Sequence, residues 1–228
     1  DPPTGFRKID FDRDRPEPTF NSHIGNLYVK RGEKGTRDEF FRHLNTDSQF
    51  FFDKREDLIA GYDAIRTRVN PQLPKLFEIL PKADYEVRAV EPFREKSAAG
   101  GQYQAANEDG TRPGIFYANA YDLRARPKWA MEALSLHEAN PGHHFQISIQ
   151  REQQGLPKFR RFGGFTAYSE GWALYAEYLG KELGLFTDPY QWFGRLNDEQ
   201  LRAILNVATR RQEGKALLAR AMQQKHDA

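Results

Sequence analysis

Apolar residues recur along this chain with two different periods, and the points where one gives way to the other divide it into elements. Residues 1–35 have no period: Asp10-Phe11-Asp12-Arg13-Asp14-Arg15-Pro16 mixes charge, ring and proline, which reads as an extended or loop segment packed on something else. Thr36 then introduces a run through Phe40, Phe41 and Leu44, with Asp38 and Glu39 in its first turn, the pattern of a short capped helix. Asp53 or Lys54 opens a second helix. There Leu58, Ile59, Tyr62, Ile65 and Val69 recur at helical spacing until the Asn70-Pro71 step, which should end the helix or begin another. From Tyr85 to Pro92 and from Gly101 to Ala120 the pattern shortens to alternating stretches punctuated by glycine, a strand signal. Glu108-Asp109-Gly110 reads as a hairpin turn, and Gly114 through Asn119 is the most strand-like stretch in the chain. Beyond Pro127 the helical period returns, broken at Gly155-Leu156-Pro157, at Gly163-Gly164 and between Gly184 and Pro189. No segment repeats at a solenoid period. The pattern predicts a mainly α fold with a small β-sheet ahead of the later helices, and residues 36–228 forming one domain.

Composition narrows the chemistry. At 228 residues the chain can build one sizeable core. A hydrophobic share of 39% with 13% aromatics and 29% charged residues is a globular balance, and a disordered chain would be poorer in rings. The 34 basic and 32 acidic residues are interspersed and leave a net charge of +2, so no long-range field points to nucleic acid or an anionic membrane. Cysteine is absent, which removes disulfides, thiolate nucleophiles and thiolate metal sites and leaves His and carboxylates as metal ligands. No apolar run is long enough to span a bilayer, and Asp1-Pro2-Pro3-Thr4 is not a signal-peptide start. Without an initiator Met the chain reads as a soluble mature form or a fragment. Its compartment, cytoplasmic or periplasmic, and its oligomeric state are left open.

Three of the six histidines fall between His137 and His144, in His137-Glu138-Ala139-Asn140-Pro141-Gly142-His143-His144. A His followed by Glu, with more His just downstream, is the arrangement by which zinc peptidases place two imidazoles on the metal and a carboxylate beside its water. Zinc lowers the pKa of bound water towards about 7 while the carboxylate takes and returns the proton, which makes Glu138 the candidate base. The spacing is not that of an ideal helix. His143 would lie roughly 240° around the axis from His137, and His144 about 10 Å along it. Pro141 lacks an N–H and Gly142 tolerates unusual dihedrals, so the expectation is a local bulge that widens the helix and returns a later His to the site. A lone His would be read as packing; this longer string is more specific. A third ligand is sought on another element. Tyr168-Ser169-Glu170-Gly171-Trp172-Ala173-Leu174-Tyr175-Ala176-Glu177 reads as an amphipathic helix with Glu170 and Glu177 on one face. Glu170 is the candidate ligand, and Glu177 a supporting group, a salt-bridge partner or an ordinary helix charge.

At these residues the chain resembles the bacterial family catalogued as Domain of Unknown Function 885, whose members carry HEAxPGHHxQ followed by TAxxEGWALYAE. The likeness extends from about residue 36 to about residue 200 and includes Pro113-Gly114-Ile115-Phe116-Tyr117, Arg161-Phe162-Gly163-Gly164 and Thr187-Asp188-Pro189-Tyr190. That family looks like a branch of the gluzincin peptidases, helical proteins that include carboxypeptidase Taq and angiotensin-converting enzyme. The resemblance implies a Zn2+ cofactor held by His137, His143 and Glu170, with Gly142 marking His143 as the second ligand and His144 as the alternative. It also implies that a strand before the metal helix pairs with the substrate backbone. That role falls on Gly114, Phe116, Tyr117 and Asn119. Family members are longer, so the chain is expected to be the C-terminal part of such a protein. After about Leu205, Thr209-Arg210-Arg211-Gln212-Glu213-Gly214 stands where the family's Thr-Gly-x-His stretch is expected.

The resulting expectation is a zinc-dependent peptidase acting on peptide substrates, with Glu138 as base. Tyr168, Tyr175 and His144 are candidates to stabilise the oxyanion, because a phenol or imidazole N–H near the metal can donate to the developing charge. Two alternatives use the same residues: a shortened homologue that folds and binds metal or a partner but turns nothing over, and a hydrolase of a non-peptide amide or ester.

Overall fold

The computed structural model describes residues 37–108 and 111–202. The expected N-terminal segment, the Thr36 cap, the Asp109-Gly110 turn and Thr209 to Gly214 lie outside them. Helix α1 spans Arg37–Thr46. Asp47 then caps a 3-10 turn over Ser48–Phe50 by accepting from the Gln49 N–H at 2.9 Å. Helix α2 covers Arg55–Val69, with Glu56 and Asp57 at the positive end of its dipole and Arg66 and Arg68 at the other. Its buried residues Leu58, Tyr62, Ile65 and Val69 follow the apolar spacing of the sequence. Burying each such side chain contributes about 2 kcal/mol. At Asn70-Pro71 the helix passes into 3-10 turns over Asn70–Lys75.

The sheet has three strands, β1 (Tyr85–Ala89), β2 (Gly101–Gln104) and β3 (Gly114–Ala118), in the order β1-β3-β2. β3 runs parallel to β1, with Tyr85 opposite Gly114, and antiparallel to β2, with Tyr103 opposite Phe116. All five β3 residues are buried. Phe116 and Ala118 join the main core while Ile115 and Tyr117 pack with Val90, as side chains alternate across a strand.

Four helices follow, of which the first, second and fourth carry the site: α3 (Met131–Glu138), α4 (His143–Glu152), α5 (Lys158–Phe162) and α6 (Thr166–Tyr178). The breaks between α4, α5 and α6 fall at the glycines and Pro157, as the pattern predicts, and residues 189–202 are again helical. α3 packs against α6 and β2, and α4 against α6 and β2. The main core draws Leu58, Tyr62 and Ile65 from α2, Phe116 from β3, Leu136 from α3 and Leu183 from the stretch after α6. A second cluster joins Phe40, Leu44, Phe50 and Phe51 to Phe193. The protein is thus mainly α with a small sheet. Among the described residues no helix is long and apolar enough to cross a membrane.

Candidate metal centre

The local structure at the histidines differs from the bulge expected on one continuous helix. α3 ends at Glu138, Ala139 leaves the helical region with φ −105° and ψ −122°, the Asn140-Pro141 peptide is cis, and α4 starts afresh at His143. Proline disfavours helical backbone in the residue before it and has no N–H to continue a ladder, so two helices form where a widened one was expected. Separate axes also remove the six-residue phase problem. Gly142 is required by crowding: a Cβ there would lie 1.9 Å from the His137 carbonyl oxygen and 2.3 Å from that of Leu136. Trp172 on α6 closes the connection by donating its indole N–H to the Pro141 carbonyl at 2.7 Å.

This break brings His137 and His143 together at right angles, ring centroids 4.8 Å apart. Glu170 reaches them from α6, one oxygen 3.3 Å from His137 Nε2 and the other 3.6 Å from His143 Nε2. The three residues form a group whose ligand atoms all lie within 4.8 Å of one another, and that group could hold a metal ion. Two donors each about 2 Å from one ion are at most about 4 Å apart, so small side-chain movements suffice to close the set. The other ring nitrogens are engaged. His137 Nδ1–H donates to the Glu177 carboxylate at 2.8 Å, which turns Nε2 towards Glu170 and His143. His143 Nδ1 lies 3.2 Å from the Ser169 hydroxyl. Glu177 therefore supports His137 and also forms an ion pair, with Arg202.

Electrostatics separate the roles further. Burial pushes the Glu138 carboxyl above its ordinary range, against the opposing pull of the His137 charge and the Tyr103 backbone N–H. Burial works against charge on His137, yet the Glu177 hydrogen bond and the charges of Glu138 and Glu177 hold its pKa above the usual value. His143 is lowered by burial and by His137.

His144 turns the other way. It is 1% exposed, its Nδ1 lies 2.9 Å from the Tyr103 hydroxyl, and its ring packs on Tyr85 at 4.7 Å. Burial takes its pKa down to about 4, so it is neutral at physiological pH. It belongs to the packing between α4 and the sheet, and the structure does not bring it to His137 and Glu170. Gly114 makes room for this contact, since a Cβ there would sit 2.5 Å from the Tyr103 hydroxyl oxygen. The rest of the expected substrate strand fares no better. Gly114, Phe116, Tyr117 and Asn119 are buried, and β3 is paired on both edges, so it has no free backbone for a peptide. Among the described residues β1 and β2 are the two edges, and β2 is the one beside Glu138. Asn119 N–H donates to the Gly100 carbonyl at 2.9 Å, which makes Gly100–Asn119, Gln102–Tyr117 and Gln104–Ile115 the hydrogen-bonded pairs. Gly101 and Tyr103 then turn their N–H and C=O to the unpaired edge, on the side of Glu138. Tyr168 and Tyr175 are 62% and 53% exposed. They leave α6 about 160° and 140° from the direction of Glu170, so the helix does not aim them at the group.

The chain matches the family model described as "Bacterial protein of unknown function (DUF885)" over residues 22–208. It belongs to that family. No curated protein matches it. Among solved structures it is similar to a crystal structure described as that of "the putative lipoprotein from Colwellia psychrerythraea", with 37% identity and a TM-score of 0.73 over 79% of this chain. The chain spans 32% of that longer protein. In this member of Domain of Unknown Function 885, the break at Pro141-Gly142 sets His137 and His143 beside Glu170 in a group that could hold a metal ion.

The sequence pattern does not single out four residues near the site. Tyr103 and Gly101 belong to a short strand whose edge position depends on the strand order. Ser169 is marked in the sequence only as part of the helix carrying Glu170. Arg202 lies 25 residues beyond its partner Glu177, and no local pattern marks it.

Proposed function

We propose that this chain carries the zinc site of a hydrolase acting on peptide bonds, held by His137 Nε2, His143 Nε2 and the Glu170 carboxylate. The observation that carries the reading is the convergence of two imidazole nitrogens and one carboxylate from three helices, with a buried glutamate adjoining the first histidine. Two nitrogens and one carboxylate, with room for a further ligand, are a catalytic zinc set. A bound zinc supplies Lewis acidity, bringing the pKa of a coordinated water towards about 7. Glu138 takes the proton from the attacking water and delivers it to the departing amine. Its burial favours the protonated form and so assists the second transfer. Glu177 keeps His137 in the tautomer that presents Nε2. The outward N–H and C=O of Gly101 and the C=O of Tyr103 hold an extended substrate backbone by strand addition, beside Glu138, which takes the Tyr103 N–H; this replaces the role first expected of β3.

The test is metal content of the purified chain by elemental analysis, with His137→Ala and Glu170→Ala as controls, followed by hydrolysis of a peptide library. About one zinc per chain, lost in both variants, supports the ligand set. Glu138→Gln should keep the metal and lower turnover about 10²–10⁴-fold; full activity in that variant would remove Glu138 as the base. A second reading is favoured by the extent of the chain and by Glu170, whose side chain is 51% exposed. In it the chain binds metal but needs further protein to form a substrate cleft, and then metal is found while no peptide is cleaved.

A further inference from the structure

We propose that Arg202 is a positioning residue of the metal centre, acting through Glu177 on His137, so that the helical stretch 189–202 is a working part of the site. The inference rests on the reading of His137 as a ligand. Glu177 has a side chain only 3% exposed, and a buried carboxylate is costly unless it is paired and fully hydrogen-bonded. Arg202 meets that need with both arms of its guanidinium, Nη2 at 2.9 Å from Oε1 and Nη1 at 3.1 Å from Oε2. The same Oε1 accepts from His137 Nδ1–H at 2.8 Å. A two-pronged contact fixes the plane of the carboxylate as well as its place, which a single ammonium cannot do.

The consequence reaches the metal face of the imidazole. With its plane fixed, Glu177 offers an acceptor to Nδ1 alone, and the neutral imidazole of His137 is held as the Nδ1–H tautomer with Nε2 facing Glu170 and His143. Without Arg202 the carboxylate is free to swing off Nδ1, and the imidazole loses the group that selects its tautomer. Groups behind a metal-bound histidine are worth about 10–100-fold in metal affinity. Arg202 makes that contribution from outside the three helices that carry the ligands.

The experiment compares the intact chain with Arg202→Met, Arg202→Lys, Glu177→Gln and the Met/Gln double variant. Zinc affinity is measured by chelator competition, and the His137 tautomer by nitrogen-15 NMR of the metal-free protein above the histidine titration range. Circular dichroism checks that each variant is folded. Arg202→Met should weaken zinc about 10–100-fold and mix the tautomers. Glu177→Gln should do the same, the double variant should be little worse than either single one, and Arg202→Lys should recover part of the loss. A folded Arg202→Met chain with unchanged zinc affinity and an unchanged Nδ1–H signal overturns the proposal. Should the intact chain bind no zinc while Arg202→Met still mixes the tautomers, the metal reading fails and the positioning role stands. If the intact chain binds no zinc and the tautomer does not move either, both fail.

Discussion

On one side of the first turn of α4, His143 faces His137 and a half-exposed Glu170, and both of its ring nitrogens lie near polar groups. On the other side, His144 sits one residue on, 1% exposed, between Tyr85 and Tyr103, its pKa taken down to about 4 by burial. The two residues have the same chemistry and almost the same place in the chain. Only their direction from the helix axis, about 100° apart, separates a metal-ligand candidate from a packing group. The difference teaches that a histidine is read by what its nitrogens face, and that a cluster of three in the sequence need not be a cluster of three in space.

The largest expected effect sharpens this contrast. His143→Ala should abolish stoichiometric zinc binding in elemental analysis while leaving the fold intact. His144→Ala should keep zinc within about threefold and lose about 3 kcal/mol of stability through the cavity it leaves, roughly 10 °C in melting temperature. Loss of zinc in His144→Ala with His143→Ala unaffected would reverse the assignment.

A smaller effect tests the break that turns the two histidines apart. Gly142→Ala places a methyl group against two carbonyl oxygens, and should cost about 2 kcal/mol together with a measurable loss of zinc affinity, because the connection positions His143. Unchanged melting and zinc binding would mean that the break relaxes freely.

The smallest effect concerns the sheet side. Burial raises the Tyr85 phenol above its ordinary value of 10.0, the nearby Arg66 charge opposing it. A phenol whose folded pKa is raised stays protonated in the native state while the unfolded chain ionises. Its contribution is therefore complete below about pH 10 and is lost as pH climbs towards the folded value. Tyr85→Phe should flatten the fall in melting temperature above pH 10 by a few degrees and leave zinc affinity unchanged. An identical alkaline profile in the variant would show that Tyr85 is not a source of that instability.

Much of the fold is legible in the sequence because it depends on local rules. Leu58, Tyr62, Ile65 and Val69 mark α2 by spacing alone, and Gly163-Gly164 and Pro157 mark real breaks. The pair His137-Glu138 and the later Glu170 stand out because their residue types and order are those of metal-ligand chemistry. The missing N–H of Pro141 fits a bulge, but the same property supports a complete break, and local chemistry does not choose between them. The assignment of β3 as the substrate strand failed for a related reason. Strand propensity was strongest at Gly114 to Ala118 because that strand is buried on both faces and paired on both edges, which is what makes it unable to bind a peptide.

By itself, then, the amino-acid order determined the helices, the small sheet and the identity of the ligand candidates, since period, capping and breaker residues act over a few neighbours. The tertiary structure decided which of two adjacent histidines meets Glu170, which strand lies at the edge near Glu138, and that Arg202 stands behind Glu177. Those outcomes depend on the relative directions of helices joined by the Asn140 to Gly142 connection and on contacts between distant segments, where a change of about 100° in facing alters what a side chain meets while leaving the local pattern the same.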